Sequence, residues 1–188
     1  VKYLVERGAN INTFTGSPLI KACKKGYFKI AEYLLLNGAN PNAQNGKALI
    51  YSCSGGFLTV AQLLFKNGIN ESGRGQALIA ACRAFNDNSQ EIVKLLVRMG
   101  TDKCFYEEAL VISCLHSKFE LVKILIKSGA DVNSKNYNIA MSVRNLQILK
   151  YLVEQGSDIH QNDDSLFVST CVNCSIDMVD YLLSMGCN

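Results

Sequence analysis

The sequence predicts an all-α solenoid, a row of stacked helix–turn–helix units, and two observations carry that prediction. First, one unit recurs seven times at a spacing close to thirty residues: YLVERGAN from Tyr3, YLLLNGAN from Tyr33, LLFKNGIN from Leu63, LLVRMGTD from Leu95, ILIKSGAD from Ile124, YLVEQGSD from Tyr151 and YLLSMGCN from Tyr181. Self-similarity at such a period marks repeats that bury their apolar faces only against their neighbours. Second, the apolar positions inside each unit keep helical spacing. Counted back from Gly8, Gly38, Gly68, Gly100, Gly129, Gly156 and Gly186, leucine always stands four residues earlier. Ile30, Val60, Ile92, Leu121, Ile148 and Met178 stand four before those leucines. Offsets of three and four form one stripe of an α-helix, and the glycine stands where a helix needs a left-handed residue to close.

In chain order, residues 1–8 are the end of a unit, and complete units occupy 9–38, 39–68, 69–100, 101–129, 130–156 and 157–186 of a single array. In each, about ten residues rich in Asn, Gly, Ser and Asp form loop and turn. A short helix follows, marked by the pairs Leu19/Cys23, Leu49/Cys53, Leu78/Cys82, Leu110/Cys114, Ile139/Val143 and Phe167/Cys171. Spacing i, i+4 gives that helix one buried face. A tight turn leads into the longer second helix, predicted over 27–37 in the first complete unit. Two units break the step. Cys82 to Gly100 is long, which predicts a bulge carrying Phe85 ahead of a helix start at Asn88/Ser89. Val143 to Gly156 is short, which predicts a tightened turn at 144–147.

These residues resemble the ankyrin repeat, over essentially the whole chain. Ser17-Pro18-Leu19 resembles the family's Thr-Pro-Leu, Ala22-Cys23 its Ala-Ala, Gly26-Tyr27 and Gly56-Phe57 its Gly-His turn, and Gly38-Ala39-Asn40-Pro41-Asn42 its Gly-Ala-Asp-Val-Asn. The period of 30 from Gly8 to Gly38 to Gly68 departs from the usual ~33. The missing residues fall in the loop, so short fingers replace the family's β-hairpins. Short, degenerate repeats of this kind resemble most the arrays encoded by giant DNA viruses. The resemblance implies an ankyrin-type solenoid that works as a non-catalytic protein–protein interaction module or scaffold. The alternative is a substrate-recruiting or spacer segment of a larger protein, such as a ubiquitin-ligase adaptor.

Composition narrows the classes further. The chain has 188 residues, 48% hydrophobic, two prolines and no tryptophan. No apolar run approaches the ~20 residues of a membrane helix. The first residues read as the end of a repeat rather than a signal peptide, and a start inside a unit is expected of a piece of a longer array. The formal charge of +3 is uneven: twelve Lys/Arg stand against five Asp/Glu in residues 1–100, and seven against eleven in the rest.

Eight cysteines invite a metal or disulfide reading, but Cys23, Cys53, Cys82, Cys114 and Cys171 share one slot that Val143 fills in the fifth unit. Such a residue is a small buried hydrophobe. Helices stacked roughly 10 Å apart hold successive thiols too far apart to bridge. Free thiols in the core imply a reducing compartment, cytoplasm or nucleus, the host cytoplasm if the protein is viral. Cys171-x-x-Cys174 lacks a second ligand pair, since His116 and His160 each stand alone, so no metal and no cofactor is expected. Gly73-Arg74-Gly75 matches no phosphate loop, Glu107-Glu108 and Asp163-Asp164 read as solvated turns, and no nucleophile–base pairing is visible.

The resemblance places the contact surface at the loop tips and the end of each first helix. Carried onto this register, it selects Lys21, Lys24, Lys25, Tyr51, Arg83, Phe85, His116 and Arg144. A basic stretch with two aromatics suits an acidic, partly apolar protein segment, and the same lysines also fit a merely solvated face. The Lys/Arg density is too low for a nucleic-acid stripe, and no membrane or small-molecule partner is expected.

Overall fold

Each second helix ends in the same way, for a local reason. After α3 (Phe28–Leu36), Gly38 N–H donates to the Leu35 carbonyl (3.1 Å) and Ala39 N–H to the Leu34 carbonyl (2.9 Å). That pair of bonds closes only when the intervening residue is left-handed. Gly38 has φ +86°, and all seven repeat glycines lie between +80° and +100°. Leu34, Leu96, Leu125, Leu152 and Leu182 therefore have two tasks each: the side chain fills the core, and the carbonyl takes the closing bond.

The structure is a computed structural model that describes all residues except 135–138, 140, 141, 173, 174 and 188, and the backbone alone of Ser72 and 161–164. The described residues are helical, with no strand among them. The chain divides into two compact units, Val1–Phe105 and Tyr106–Asn188. The first holds α1 (Lys2–Glu6), α2 (Thr13–Lys24), α3, α4 (Ala43–Ser54), α5 (Leu58–Lys66), α6 (Arg74–Arg83) and α7 (Ser89–Arg98), with single 3-10 turns at Glu71–Gly73 and Lys103–Phe105. First helices α2, α4 and α6 pack in a row, as do second helices α3, α5 and α7. The second unit holds α8 (Tyr106–Leu115), α9 (Phe119–Lys127), α10 (Leu146–Glu154), α11 (Gln161–Val172) and α12 (Ile176–Ser184), with α8 on α9, α9 on α10 and α11 on α12.

The predicted stripe is the core. Leu19, Leu49, Leu78 and Leu110 from first helices, and Leu64, Leu96, Leu125, Leu152 and Leu182 from second helices, are completely buried. So are Cys23, Cys53, Cys82 and Cys114. Leu4, in the same register on α1, is 59% exposed.

The sixth unit requires a correction. The predicted core pair was Phe167 and Cys171; the structure instead buries Leu166 and Thr170, leaving Phe167 half-buried and Cys171 exposed. Leu166 stands ten residues after Gly156, the step that separates Gly68 from Leu78 and Gly100 from Leu110. The Thr170 hydroxyl is tolerated there because it donates to the Leu166 carbonyl (2.8 Å), satisfying a buried polar group. In the fifth unit Ile139 and Val143 are buried as predicted, while most of the short helix expected between them lies outside the described residues.

The loops hold the largest departure from simple expectation. Instead of hairpins, α2 and α4 open with left-handed turns: Phe14, Thr15 and Gly16 have φ 48°, 54° and 84°, and Gln44, Asn45 and Gly46 have φ 52°, 56° and 74°. Each non-glycine residue there costs about 1–2 kcal/mol. Contacts between repeats hold the turns: Gln44 Nε2–H donates to Thr15 Oγ1 (3.0 Å) and to the Thr15 carbonyl (3.3 Å). A Cβ on Gly16 would lie 2.5 Å from that of Ala43, so the approach requires glycine. The expected short fingers are these compact turns.

Candidate protein-binding surface

The asparagines after each glycine set the spacing of the surface. Asn10, Asn40, Asp102, Asp131 and Asp158 accept the backbone N–H two residues on (2.9–3.0 Å) and so fix the loop in an Asx turn. Two positions later a second asparagine reaches forward to the next repeat. Asn12 donates to the Gly38 carbonyl (3.0 Å) and accepts from Asn40 N–H (2.9 Å). Asn42 does the same with Gly68 (2.9 Å) and Asn70 (2.8 Å), and Asn133 with Gly156 (2.7 Å) and Asp158 (2.8 Å). Where that asparagine is missing, Arg74 takes its place: its guanidinium donates to the Met99 (2.7 Å) and Ile69 (2.9 Å) carbonyls. At the last joint His160 occupies the same slot, with Nδ1 3.9 Å from Cys187 Sγ.

On this frame Lys21, Lys24 and Lys25 stand exposed at the end of α2 and its C-cap. Cations there also meet the negative end of the helix dipole. Tyr51, half-buried on α4, lies one repeat after Lys21, and Lys24 Nζ is 5.1 Å from its ring centroid, within cation–π range. Among the described residues the ion pairs join Lys2 to Glu6, Lys94 to Glu91 and Lys123 to Glu120, and none involves the α2 lysines.

Arg83 closes α6 and is exposed. The predicted bulge follows it: Ala84 is extended and Phe85 is 78% exposed. The bulge is anchored back onto the preceding repeat by Asn88 Nδ2–H, which donates to the Gly56 carbonyl (2.8 Å), and is closed on itself by Ser89 Oγ–H, which donates to the Ala84 carbonyl (3.2 Å). Asn88 is at the predicted helix start, yet its side chain serves this joint rather than capping α7.

The structure thus brings Lys21, Lys24, Lys25 and Tyr51 onto adjacent helices, with Arg83 and Phe85 on the next repeat. His116 and Arg144 belong to the second unit. His116 is exposed just past α8. Arg144 is exposed beside Asn145, whose side chain caps α10 by accepting Gln147 N–H (2.8 Å) and Ile148 N–H (3.3 Å). It borders a cavity of about 80 Å³ lined also by Ser169, Thr170 and Met178.

Burial pushes the Cys23, Cys53 and Cys114 thiols up to about 12, with weaker opposing hydrogen bonds from Ser52 to Cys53 and from Ser142 to Cys114. Such thiols are poor nucleophiles and poor metal ligands. No His/Cys/Asp/Glu cluster able to hold a metal occurs among the described residues, and Cys174 lies outside them. No helix among them is long and apolar enough to cross a membrane.

A family model for ankyrin repeats in three copies matches residues 78–163, and one for the LRRK2 ANK repeat matches residues 9–105, about half of the chain. The chain belongs to the ankyrin-repeat family. Ankyrin repeat protein R578 of Acanthamoeba polyphaga mimivirus is 30% identical to this ankyrin array over 98 residues, covering 50% of the array and 22% of that protein. Mimivirus ankyrin repeat protein R599 is 23% identical over 104 residues, 55% of the array and 29% of that protein. The ankyrin repeat and KH domain-containing protein mask-1 of Caenorhabditis elegans is 28% identical over 196 residues, 97% of the array but 6% of the relative. The array therefore spans less than a third of these curated relatives. The crystal structure of the human ASB11 ankyrin repeat domain superposes with a TM-score of 0.71 at 19% identity, covering 89% of this chain and 90% of that one. That match shows the ankyrin solenoid fold.

Proposed function

We propose that the first-helix surface of α2, α4 and α6 docks an acidic, partly apolar segment of a partner protein. Ankyrin repeats generally mediate protein–protein interaction and are generally non-catalytic. The observation that carries the proposal is the pairing of Lys24 with Tyr51, flanked by the exposed Lys21 and Lys25. A cation held over an aromatic face offers a carboxylate its charge and an apolar side chain the ring beside it. One step on, Arg83 and Phe85 supply a further exposed cation and a further exposed aromatic ring, the latter on a bulge anchored by Asn88. The mechanism is rigid display: the joints already fix the main chain that bears these side chains, so binding costs little backbone conformational entropy. The buried thiols support a reducing compartment, cytoplasm or nucleus. In the relatives the matched stretch is a minor part of a longer polypeptide. This favours, as a second reading, a recruiting segment within a larger protein.

The test is affinity capture from eukaryotic cell lysate, comparing the parent with a Lys24→Glu/Lys25→Glu/Arg83→Glu variant of unchanged circular dichroism. A partner with an acidic segment, held by the parent and lost from the variant, is the expected outcome. Equal capture by both proteins refutes the surface.

A further inference from the structure

The second helices carry a surface of their own, on the other member of each pair. Phe28 of α3, Leu63 and Phe65 of α5, and Leu95 and Met99 at the end of α7 line an open, largely apolar groove of about 760 Å³. Phe28 and Met99 are each 37% exposed, and Leu63, Phe65 and Leu95 are half-buried. These apolar side chains exceed what the core uses, for Leu34, Leu64 and Leu96 already fill it from the same helices. Aromatic rings and methionine are the side chains enriched in the cores of protein interfaces, and methionine adapts to varied partners. Successive helices lie roughly 10 Å apart, so a groove crossing three of them runs about 20 Å. That is the length of about 13 helical residues.

The charges around the groove select among occupants. The charged residues of α3, α5 and α7 are Lys29, Lys66, Lys94 and Arg98 against Glu32 and Glu91. Glu91 is paired with Lys94 at 2.8 Å, which leaves Lys29, Lys66 and Arg98 against Glu32. Lys66 and Glu32 line the groove itself. Beside the groove, the Arg74 guanidinium lies 5.7 Å from the ring centroid of the lining residue Phe65 while bound to backbone carbonyls. Lys29 and Arg98 are exposed and adjoin the lining residues Phe28 and Met99, so an apolar groove whose helices carry this basic excess complements an amphipathic helix that has an apolar stripe and acidic flanks. From this complementarity we infer a second docking site here, for an acidic amphipathic helix of a partner protein. It is distinct from the first-helix surface and does not depend on it.

The experiment uses the full chain and two synthetic fluorescein-labelled peptides about 14 residues long, a length that spans the groove. Both carry Leu and Phe at i, i+3, i+4 and i+7; one has Glu flanks, the other Lys flanks. Fluorescence anisotropy at low salt should show the Glu peptide binding at least about ten-fold more tightly than the Lys peptide. Met99→Glu, a change at an exposed position, should weaken the Glu peptide about ten-fold or more. Lys66→Glu should shift the preference toward the Lys peptide, while Lys24→Glu/Lys25→Glu leaves both affinities unchanged. No saturable binding, equal affinity for the two peptides, or indifference to Met99→Glu and Lys66→Glu overturns the assignment. Sedimentation of the chain alone covers the other occupant: self-association abolished by Met99→Glu would assign the groove to a second copy and overturn it.

Discussion

Asn42→Ala isolates the joint between repeats. Its side chain makes two bonds to the next repeat, to the Gly68 carbonyl at 2.9 Å and from Asn70 N–H at 2.8 Å. It precedes α4 without capping it, so truncation removes the joint and nothing else. Each such bond is worth about 0.5–1.5 kcal/mol net. Both backbone partners are exposed, so water takes them up and the lower half of that range applies, for a total of about 1–2 kcal/mol. Asn37→Ala is the matched control, because its Nδ2–H donates to the Tyr33 carbonyl (2.8 Å) within its own repeat. Asn42→Asp should not rescue: it keeps an acceptor for Asn70 N–H but turns a carboxylate oxygen toward the Gly68 carbonyl. The assay is urea unfolding followed by circular dichroism. Asn42→Ala should lower the midpoint more than Asn37→Ala and also flatten the transition, since coupling between neighbours makes a repeat array unfold together. Losses for the two variants within about 0.3 kcal/mol, with equal slopes, would refute the joint.

Leu96→Ala, at a completely buried position, should cost about 2–5 kcal/mol, whereas Lys24→Glu should leave the urea midpoint nearly unchanged. Gly38→Ala should cost about 1–2 kcal/mol from its left-handed φ alone, since its Cβ would meet open space. Gly26→Ala should cost more in the same assay, because a Cβ there would also lie 2.5 Å from the Phe57 ring. The raised thiols set an alkaline limit. Unfolded, each ionises near 9; folded, Cys23, Cys53 and Cys114 hold their protons to about 12. Their contribution is therefore complete below pH 9 and declines as pH rises toward 12, by up to about 1.4 kcal/mol per unit for each thiol. Urea midpoints at pH 8 and 10 should diverge more for the parent than for the triple Cys→Ala variant. Alkylation mapped by mass spectrometry at pH 8 should label the exposed Cys104 and Cys171 first.

The helix ends and the buried stripe were legible because each depends on one residue in a fixed place: Gly38 must be left-handed, and Leu34 must face inward. The bulge at Phe85 was legible as surplus residues between two anchored positions. The sixth first helix was misread by one residue, because Phe167 and Cys171 have the same i, i+4 spacing as Leu166 and Thr170 and are the more apolar pair. The distance from the glycine does not decide between the two registers, since it is eleven residues from Gly8 to Leu19 and from Gly38 to Leu49 but ten from Gly68 to Leu78 and from Gly100 to Leu110. The forward reach of Asn12, Asn42 and Asn133 was present in the sequence as a recurring asparagine four residues after the glycine. It read as loop chemistry because its partners, the Gly38, Gly68 and Gly156 carbonyls, belong to another repeat. The left-handed turns at 14–16 and 44–46 were legible only in Gly16 and Asn45-Gly46, which favour that conformation; Phe14, Thr15 and Gln44 seldom adopt it, and Gln44 and Thr15 are held by contacts across repeats. The groove on α3, α5 and α7 was equally hidden, for periodicity says which residues face inward and not how much apolar surface stays uncovered.

The asparagine joints grip only main chain: a glycine carbonyl ahead and the N–H of the residue two positions later. A fastener of that kind has no means of distinguishing one succeeding repeat from another. Any unit that ends its second helix on a left-handed glycine presents the same two groups at the same place. The joint itself asks nothing of the exposed side chains beside it, so residues such as Lys25 or Phe85 can change without disturbing those two bonds. Three joints of the chain share this one fitting, and at each of them the spacing of what the repeats display is set by main chain alone.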